Sequence, residues 1–248
     1  MKRQICAFFL VLSAAAAFGA DFSLSAGAGG ILGGAFTRYT LSADGEKDGN
    51  HIKIDATQKM NQFNYGFYAF LDASYGIFSV FFQNGINDFT ETVDIEGLNS
   101  VPDLSGKGWE SVLGFSILGK YPFKLNERLI FFPLLGFDYR ISLSQKRTQP
   151  DGYVYKRTDG IREKDKDNKA YKQSDWNSMW INLGGGLDFF LTGNLFLRTE
   201  LLYGFRLMTS YETKNLETMK SLSGDSNPKL SGLTSGPALK IAAGWRFI

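Results

Sequence analysis

The chain has 248 residues, enough for a single domain, and 44% of them are hydrophobic while 21% are charged. This balance excludes a disordered chain, and 28 glycines and 22 phenylalanines spread along the sequence favour many strands and turns over a helical bundle. A formal net charge of +2 excludes a global attraction to nucleic acid, so no nucleic-acid partner is expected.

The N-terminus has the pattern of an export signal. Two basic residues precede an apolar run over residues 5–18, which is shorter than the roughly 20 residues that a membrane-spanning helix needs. We therefore predict a cleaved signal peptide over 1–19 and a mature domain over 20–248, with a membrane anchor as the alternative. Cleavage would remove Cys6, the only cysteine, and with it any thiol or disulfide chemistry.

Beyond the signal, apolar residues alternate with small or polar ones, as they do in strands that cross a membrane. The alternation predicts eight strands, at about 22–41, 61–72, 75–85, 109–121, 128–144, 176–191, 195–208 and 236–247. The connections are alternately long and short, which is typical of an all-β, up-and-down antiparallel transmembrane barrel with short periplasmic turns and long extracellular loops. A closed barrel has no unpaired sheet edge, so its backbone is satisfied in hydrocarbon.

The polarity of the two strand faces separates this fold from a soluble lipocalin-like barrel, which would carry many charges on its outer face. In the seventh predicted strand Leu197 and Leu201 share one face, while Arg198 and Glu200 share the other. The polar faces are otherwise rich in Gly, Ser and Asn, which suits a narrow lumen. The charges predicted to line the lumen, paired or hydrated, are Glu110, Lys120, Asp138, Arg140, Asp188, Arg198, Glu200, Arg206, Lys240 and Arg246.

Aromatic residues near the strand ends predict the two membrane interfaces. Those expected at the periplasmic rim are Tyr121, Phe123, Trp245 and Phe247, and those expected at the outer rim are Tyr39, Trp109 and Trp176.

The last predicted strand carries a more specific pattern. Its alternating residues are Pro237, Leu239, Ile241, Ala243, Trp245 and Phe247, and Ile248 follows where an aromatic is the usual final residue. This strand resembles the terminal strand that the barrel assembly machinery recognises. In strand number, in loop alternation and in segments 70–75 and 121–139, the chain resembles small eight-stranded barrels of the OmpA, OmpX and OmpW kind. The resemblance implies the bacterial outer membrane, with its lipid and, during biogenesis, the assembly machinery as partners.

The longest predicted loop, 145–177, contains nine Lys or Arg and six acidic residues. The excess of three positive charges favours attraction to anionic lipopolysaccharide, glycans or a host surface, although a solvated loop would show the same composition.

Two chemical motifs are weak. A loose match to a calcium loop is formed by Asp44, Glu46, Asp48, Gly49 and Asp55, all of which are also ordinary turn residues. The only histidine, His51, raises the alternative of a lipid-modifying barrel enzyme with a Ser, His and acid arrangement. We expect no catalytic residue, metal or cofactor.

The predicted function is therefore a structural or surface-interaction role for a barrel whose lumen is filled by side chains, because eight strands leave little internal space. The alternative is a narrow channel or a carrier of small hydrophobic molecules. The OmpW resemblance implies a hydrophobic pocket, which the aromatic residues Tyr68, Phe70, Phe78 and Phe81 would permit.

Overall fold

A computed structural model describes residues 23–47, 49–96, 104–148, 154–158, 161–162, 176–207, 209–224 and 227–247. The predicted signal peptide lies outside the described residues. The strands are β1 (Leu24–Lys47), β2 (Asn50–Ala73), β3 (Gly76–Ile95), β4 (Leu104–Lys120), β5 (Phe123–Asn126), β6 (Leu129–Thr148), β7 (Val154–Thr158), β8 (Ile161–Arg162), β9 (Ser178–Phe190), β10 (Leu195–Arg206) and β11 (Lys229–Arg246). One helix, α1 (Ser210–Ser223), lies between β10 and β11.

Eight of these strands close into a ring. Each pairs antiparallel with the next in the order β1, β2, β3, β4, β6, β9, β10 and β11, and β11 pairs with β1. The short strand β5 pairs with β6 inside a turn, and β7 and β8 extend from the end of β6. The predicted fold class, an up-and-down antiparallel barrel of eight strands, is confirmed.

The two ends of the barrel differ. Residues 74–75, 121–128 and 191–194 connect strands at one end, called here the short-turn end. Both ends of the described chain lie there, since the Phe247 amide donates to the Leu24 carbonyl at 2.8 Å. The opposite end, called here the long-connection end, carries the β1–β2 hairpin and α1.

The strands at the long-connection end are longer than predicted. β1 and β2 continue as a hairpin to the pair Lys47 and Asn50, around Gly49 at φ 76°, where the sequence had predicted a loop over 42–60. β3 likewise runs on to Ile95. The prediction was wrong because strands outside hydrocarbon tolerate polar residues on both faces, so the period of two weakens although pairing continues.

Helix α1 was not predicted from the sequence. Its Met219 is buried with Ala43 and Ile54 on the inner face of the extended hairpin. The helix sequence is otherwise mostly polar, with Leu216 half-buried, so its position is fixed by tertiary contacts with the hairpin. No helix among the described residues is long and apolar enough to cross a membrane.

The outer surface of the ring carries an apolar belt. Large apolar side chains that are more than half exposed occur around it, including Leu32, Phe67, Ile117, Leu135, Leu201 and Ile241. Their strand neighbours point inward and form a buried cluster that includes Ile31, Tyr68, Phe70, Phe132, Phe196 and Leu202. An apolar belt of this extent is unsuited to water and suited to hydrocarbon.

Candidate functional site in the barrel lumen

The alternation of β10 places its charged residues in the lumen. Arg198 is 0% exposed and Leu202 is 3% exposed, whereas Leu201, which lies between them in the sequence, is 61% exposed. Successive side chains of a strand point to opposite faces, so one register fixes all of these positions together.

Four charged side chains close the lumen near the short-turn end: Asp72 of β2, Lys120 of β4, Asp188 of β9 and Arg198 of β10. We call this group the plug. Arg198 donates from Nε to Asp188 Oδ1 at 2.7 Å and from Nη2 to Asp188 Oδ2 at 2.6 Å. Arg198 Nη2 also donates to Asp72 Oδ2, which accepts a second bond from Lys120 Nζ at 2.5 Å. The two cations and two anions balance, and the bidentate fork holds Arg198 in one orientation.

Phenylalanine rings surround the plug. The Arg198 guanidinium carbon lies 4.5 Å from the ring centre of Phe70, 5.1 Å from that of Phe132 and 5.3 Å from that of Phe196. At the mouth, Arg246 stacks at 4.1 Å over Phe190. The rings exclude water and lower the local dielectric, which strengthens the ion pairs they enclose.

Two glycines make room for these rings. A Cβ added at Gly186 would overlap the ring of Phe132, and one added at Gly244 would overlap the ring of Phe196. The glycine-rich inner faces seen in the sequence therefore accept aromatic side chains from neighbouring strands.

A looser ion pair lies at mid-lumen. Lys240 Nζ is 3.7 Å from Glu200 Oε2, beyond hydrogen-bond distance, and both side chains are buried. Neither oxygen of Glu200, nor Lys240 Nζ, nor the Tyr68 hydroxyl has a hydrogen-bond partner in the described part of the chain. The middle pair thus makes no side-chain hydrogen bond in the described part of the chain, whereas the plug makes four and leaves Asp72 Oδ1 and Arg198 Nη1 without a partner there.

The lumen toward the long-connection end is polar and partly open. A cavity of about 60 Å³ is lined by Gln62, Asn87, Glu110, Arg140, Trp180 and other residues. Gln62 Nε2 donates to Glu110 Oε1 at 2.6 Å, and the Arg140 guanidinium stacks at 4.0 Å over Trp180. A smaller cavity of about 20 Å³ lies beside Asp138, Asn182 and Lys240. Since a water needs about 10 to 15 Å³ of such space, the two cavities suit a few water molecules and no bulk flow.

The ten predicted lumen charges fall into three levels along the barrel. Lys120, Asp188 and Arg198 belong to the plug, with Arg246 at its mouth, and Glu200 and Lys240 form the middle pair. The third level, nearest the long-connection end, is formed by Glu110, Asp138, Arg140 and Arg206. Asp138 is paired, as the sequence predicted of these charges, and its partner is Arg140, two residues along the same strand, at 3.3 Å.

Sequence reasoning missed Asp72, the acid that joins both cations of the plug. A signal for it existed, because Asp72 has the parity of the inward residues Gln62 and Tyr68 on the same strand. It was overlooked because it is the last residue of the predicted strand, where an Asp before Ala and Ser is typical of a turn.

The aromatic residues predicted to mark the two membrane interfaces behave differently at the two ends of the barrel. Tyr121 and Phe123 contact each other on the outer surface of the short-turn end, with ring centres 5.0 Å apart and the rings tilted by 58°, and Trp245 and Phe247 are exposed there. The prediction for Tyr39 at the other end was wrong, since its hydroxyl accepts a bond from Arg206 at 2.6 Å inside the barrel. Trp176 likewise lines the 60 Å³ cavity.

The residues of the calcium-like motif lie in the β1–β2 hairpin, where Asp44 pairs with Lys53 in the ladder; Asp48 is outside the described residues. His51 Nε2 lies 3.4 Å from Asp44 Oδ1, and both side chains are exposed. Among the residues that the structure describes, no group of three or more His, Cys, Asp or Glu side chains could hold a metal ion.

The closed ring, the outward apolar belt and the inward ion pairs together reverse the polarity of a soluble barrel. The chain is an eight-stranded transmembrane barrel of the outer-membrane type. No family model matches it, and no curated protein matches it either.

Among solved structures the barrel is similar to Ail of Yersinia pestis, at 14% identity and TM-score 0.32, over 90% of this chain and 98% of that chain. It is also similar to OprG of Pseudomonas aeruginosa, at 14% identity and TM-score 0.34, over 88% of this chain and 96% of that chain. The translocator domain of NalP from Neisseria meningitidis matches at 10% identity and TM-score 0.29, over 99% and 96% of the two chains. The fold assignment rests on the closed ring and its two faces, independently of these similarities.

Proposed function

We propose that this protein is a non-catalytic outer-membrane barrel whose lumen is closed by side chains at the periplasmic end and whose extracellular end interacts with molecules at the cell surface. The observation that carries the proposal is the plug: Arg198 is fully buried and joins β10 to β9 through Asp188 and to β2 through Asp72. A solute would have to separate these ions in a low-dielectric interior, which costs several kcal/mol.

With the lumen closed, the remaining candidate for activity is the long-connection end. From Thr40 to Lys47, β1 continues for eight residues beyond Tyr39, or about 26 Å along the strand. Helix α1 is fastened to this extension, since Lys47 Nζ donates to the Ser221 carbonyl at 2.7 Å and Met219 packs against Ala43. An ordered hairpin and helix supply a fixed surface for recognition.

The short-turn end is assigned to the periplasm, because barrels of this type place their short turns and chain ends there. The assignment brings the net positive segment 145–177 to the cell exterior. Strand β11 presents Ile241 and Trp245 outward toward the short-turn end, Phe247 directly after it is also exposed, and we assign to this strand the recognition by the assembly machinery.

We expect the wild-type protein in planar bilayers to show small conductance or none, because the plug fills the lumen and eight strands enclose little more than their own side chains. The measurement is single-channel recording with protein shown to be folded by its gel mobility before heating. A large, stable, porin-like conductance from the monomer would contradict the proposal.

We expect trypsin added to intact cells to cut within segment 145–177, which contains nine Lys or Arg residues. Five of them belong to the paired strands β6, β7 and β8, and paired strand backbone resists proteolysis, so the cut is expected at the other four, Lys164, Lys166, Lys169 and Lys172. Fragment masses would locate the cut. Cleavage only after the outer membrane is permeabilised would reverse the orientation while leaving the fold intact.

A second candidate is a carrier of small hydrophobic molecules, and the wall at β11 favours it. The β1–β11 pairing stops at Gly33 with Ala238 and resumes at Phe36 with Ser235, because Pro237 between them has no amide to donate. The 20 Å³ cavity reaches this break. Permeation of a small apolar solute into proteoliposomes, faster than into lipid-only vesicles and without ionic conductance, would favour the carrier over the closed barrel.

A further inference from the structure

The outer wall carries a pair of like charges in an unusual place. Arg38 of β1 and Lys59 of β2 are directly paired across the ladder, and both side chains are exposed on the outward face. Like charges directly opposite one another destabilise a sheet. Neither residue forms an ion pair within the described ranges.

The neighbouring outward positions do not neutralise this pair. The next outward pair toward the long-connection end, called here the row above, is Thr40 and Thr57, whose Oγ1 atoms are 3.5 Å apart. In the row below, the one acid, Asp88, is directly opposite Lys107. The row of the pair and the two rows next to it therefore carry three cations and one anion among the described residues. Two further outward acids, Asp55 and Asp94, lie two rows away toward the long-connection end, where Asp55 accepts a hydrogen bond from Ser42 Oγ at 2.5 Å.

The pair stands immediately above the apolar belt. Phe36 is two residues below Arg38 on the outward face and is 54% exposed, and Phe63 lies four below Lys59 and is 55% exposed. A molecule that satisfied the whole surface would carry a negative group beside the cations and apolar chains against the rings. A lipid has both parts, whereas a soluble anion has only one.

We propose that Arg38 and Lys59 form a binding site for the phosphate of a phosphorylated lipid of the outer leaflet, whose acyl chains pack on Phe36 and Phe63. Guanidinium and ammonium groups form charge-assisted hydrogen bonds with phosphate, and the rigid paired strands hold the two cations together without ligand. The site adds a lipid ligand to the proposed outer-membrane role. It depends on that role in one respect, the assignment of the lipid to the outer leaflet.

The test uses purified full-length protein folded in detergent, titrated with lipid A bearing two phosphates, with bound lipid counted by native mass spectrometry. We expect Arg38→Gln/Lys59→Gln to bind at least about tenfold more weakly than wild type. The matched control is Lys124→Gln/Arg128→Gln, which removes two exposed cations at the opposite end and should bind as wild type. Equal binding by wild type and the Arg38→Gln/Lys59→Gln protein would overturn the proposal.

Two further arms identify the ligand. Dephosphorylated lipid A should lose the preference for wild type, and inorganic phosphate should not displace bound lipid A; displacement by phosphate would overturn the assignment to a lipid. Without lipid, Lys59→Gln should raise the urea midpoint, because it removes the like-charge contact, whereas a purely structural role for Lys59 would lower it. These outcomes do not depend on orientation, so a reversed barrel in cells would contradict the proposed function and the assignment to the outer leaflet, but not the binding of a lipid phosphate by Arg38 and Lys59.

Discussion

Replacing Arg198 with methionine is expected to lower the free energy of unfolding by about 3 to 5 kcal/mol, because it leaves Asp188 and one side of Asp72 buried without their counter-charge. Methionine has a similar length, so the loss of packing is kept small. The measurement is the urea midpoint of folding in phospholipid vesicles, with folded protein identified by gel mobility before heating.

The control is Arg128→Met, which changes the same residue type in an exposed turn and should move stability by no more than about 0.5 kcal/mol. Removing the anion as well, in Arg198→Met/Asp188→Leu, should recover part of the loss, since an uncompensated buried charge costs more than no charge. Wild-type stability in Arg198→Met would show that the plug does not hold the barrel closed.

The second large effect is expected on the outer surface. Leu201 pairs with Leu239, which pairs with Leu32, and this row lies in the middle of the apolar belt. An arginine there must leave the hydrocarbon centre or thin the bilayer, so Leu201→Arg should cost about 2 to 4 kcal/mol.

Leu207→Arg is the matched control on the same strand face. Phe205 of β10 pairs with Ser235 of β11, which pairs with Phe36 of β1. Leu207 and Arg38 each lie two residues further from the short-turn end than Phe205 and Phe36. Leu207 is therefore in the same ladder row as Arg38, where the wall already carries an arginine. The expected cost at that depth is about 0 to 1 kcal/mol. Folding yields into vesicles measure both variants, and equal losses would mean that the depth or facing of β10 is misassigned.

The barrel itself could be predicted from the sequence because hydrocarbon imposes a strict period. Leu197, Leu201 and Tyr203 must be apolar, so the alternation with Arg198 and Glu200 is visible without a structure. Outside hydrocarbon this constraint disappears, and the hairpin around Gly49 was missed for that reason. The pattern of a single strand also says nothing about its neighbours, so it could not show that Asp72 and Lys120 meet Arg198.

Asp138 is a second case in which the pattern of one strand does not identify the partner of a side chain. Its inward face follows from the parity of β6, but the pattern of β6 does not show that Asp138 pairs with Arg140, whose guanidinium also stacks on Trp180 of another strand. Helix α1 is held to the hairpin by the packing of Met219 and the hydrogen bond from Lys47, and with so few apolar residues its sequence gives only a weak helical period.

The plug also bears on how the chain finds its strand register. Asp72 and Arg198 are 126 positions apart, so their contact forms only after the strands between them have been arranged, late in folding. A slip of β10 by one residue would turn Arg198 out into lipid and Leu201 into the lumen. Chains that pair in the wrong register therefore lose the ion pairs and bury a charge in hydrocarbon at the same time, which penalises misfolded barrels twice.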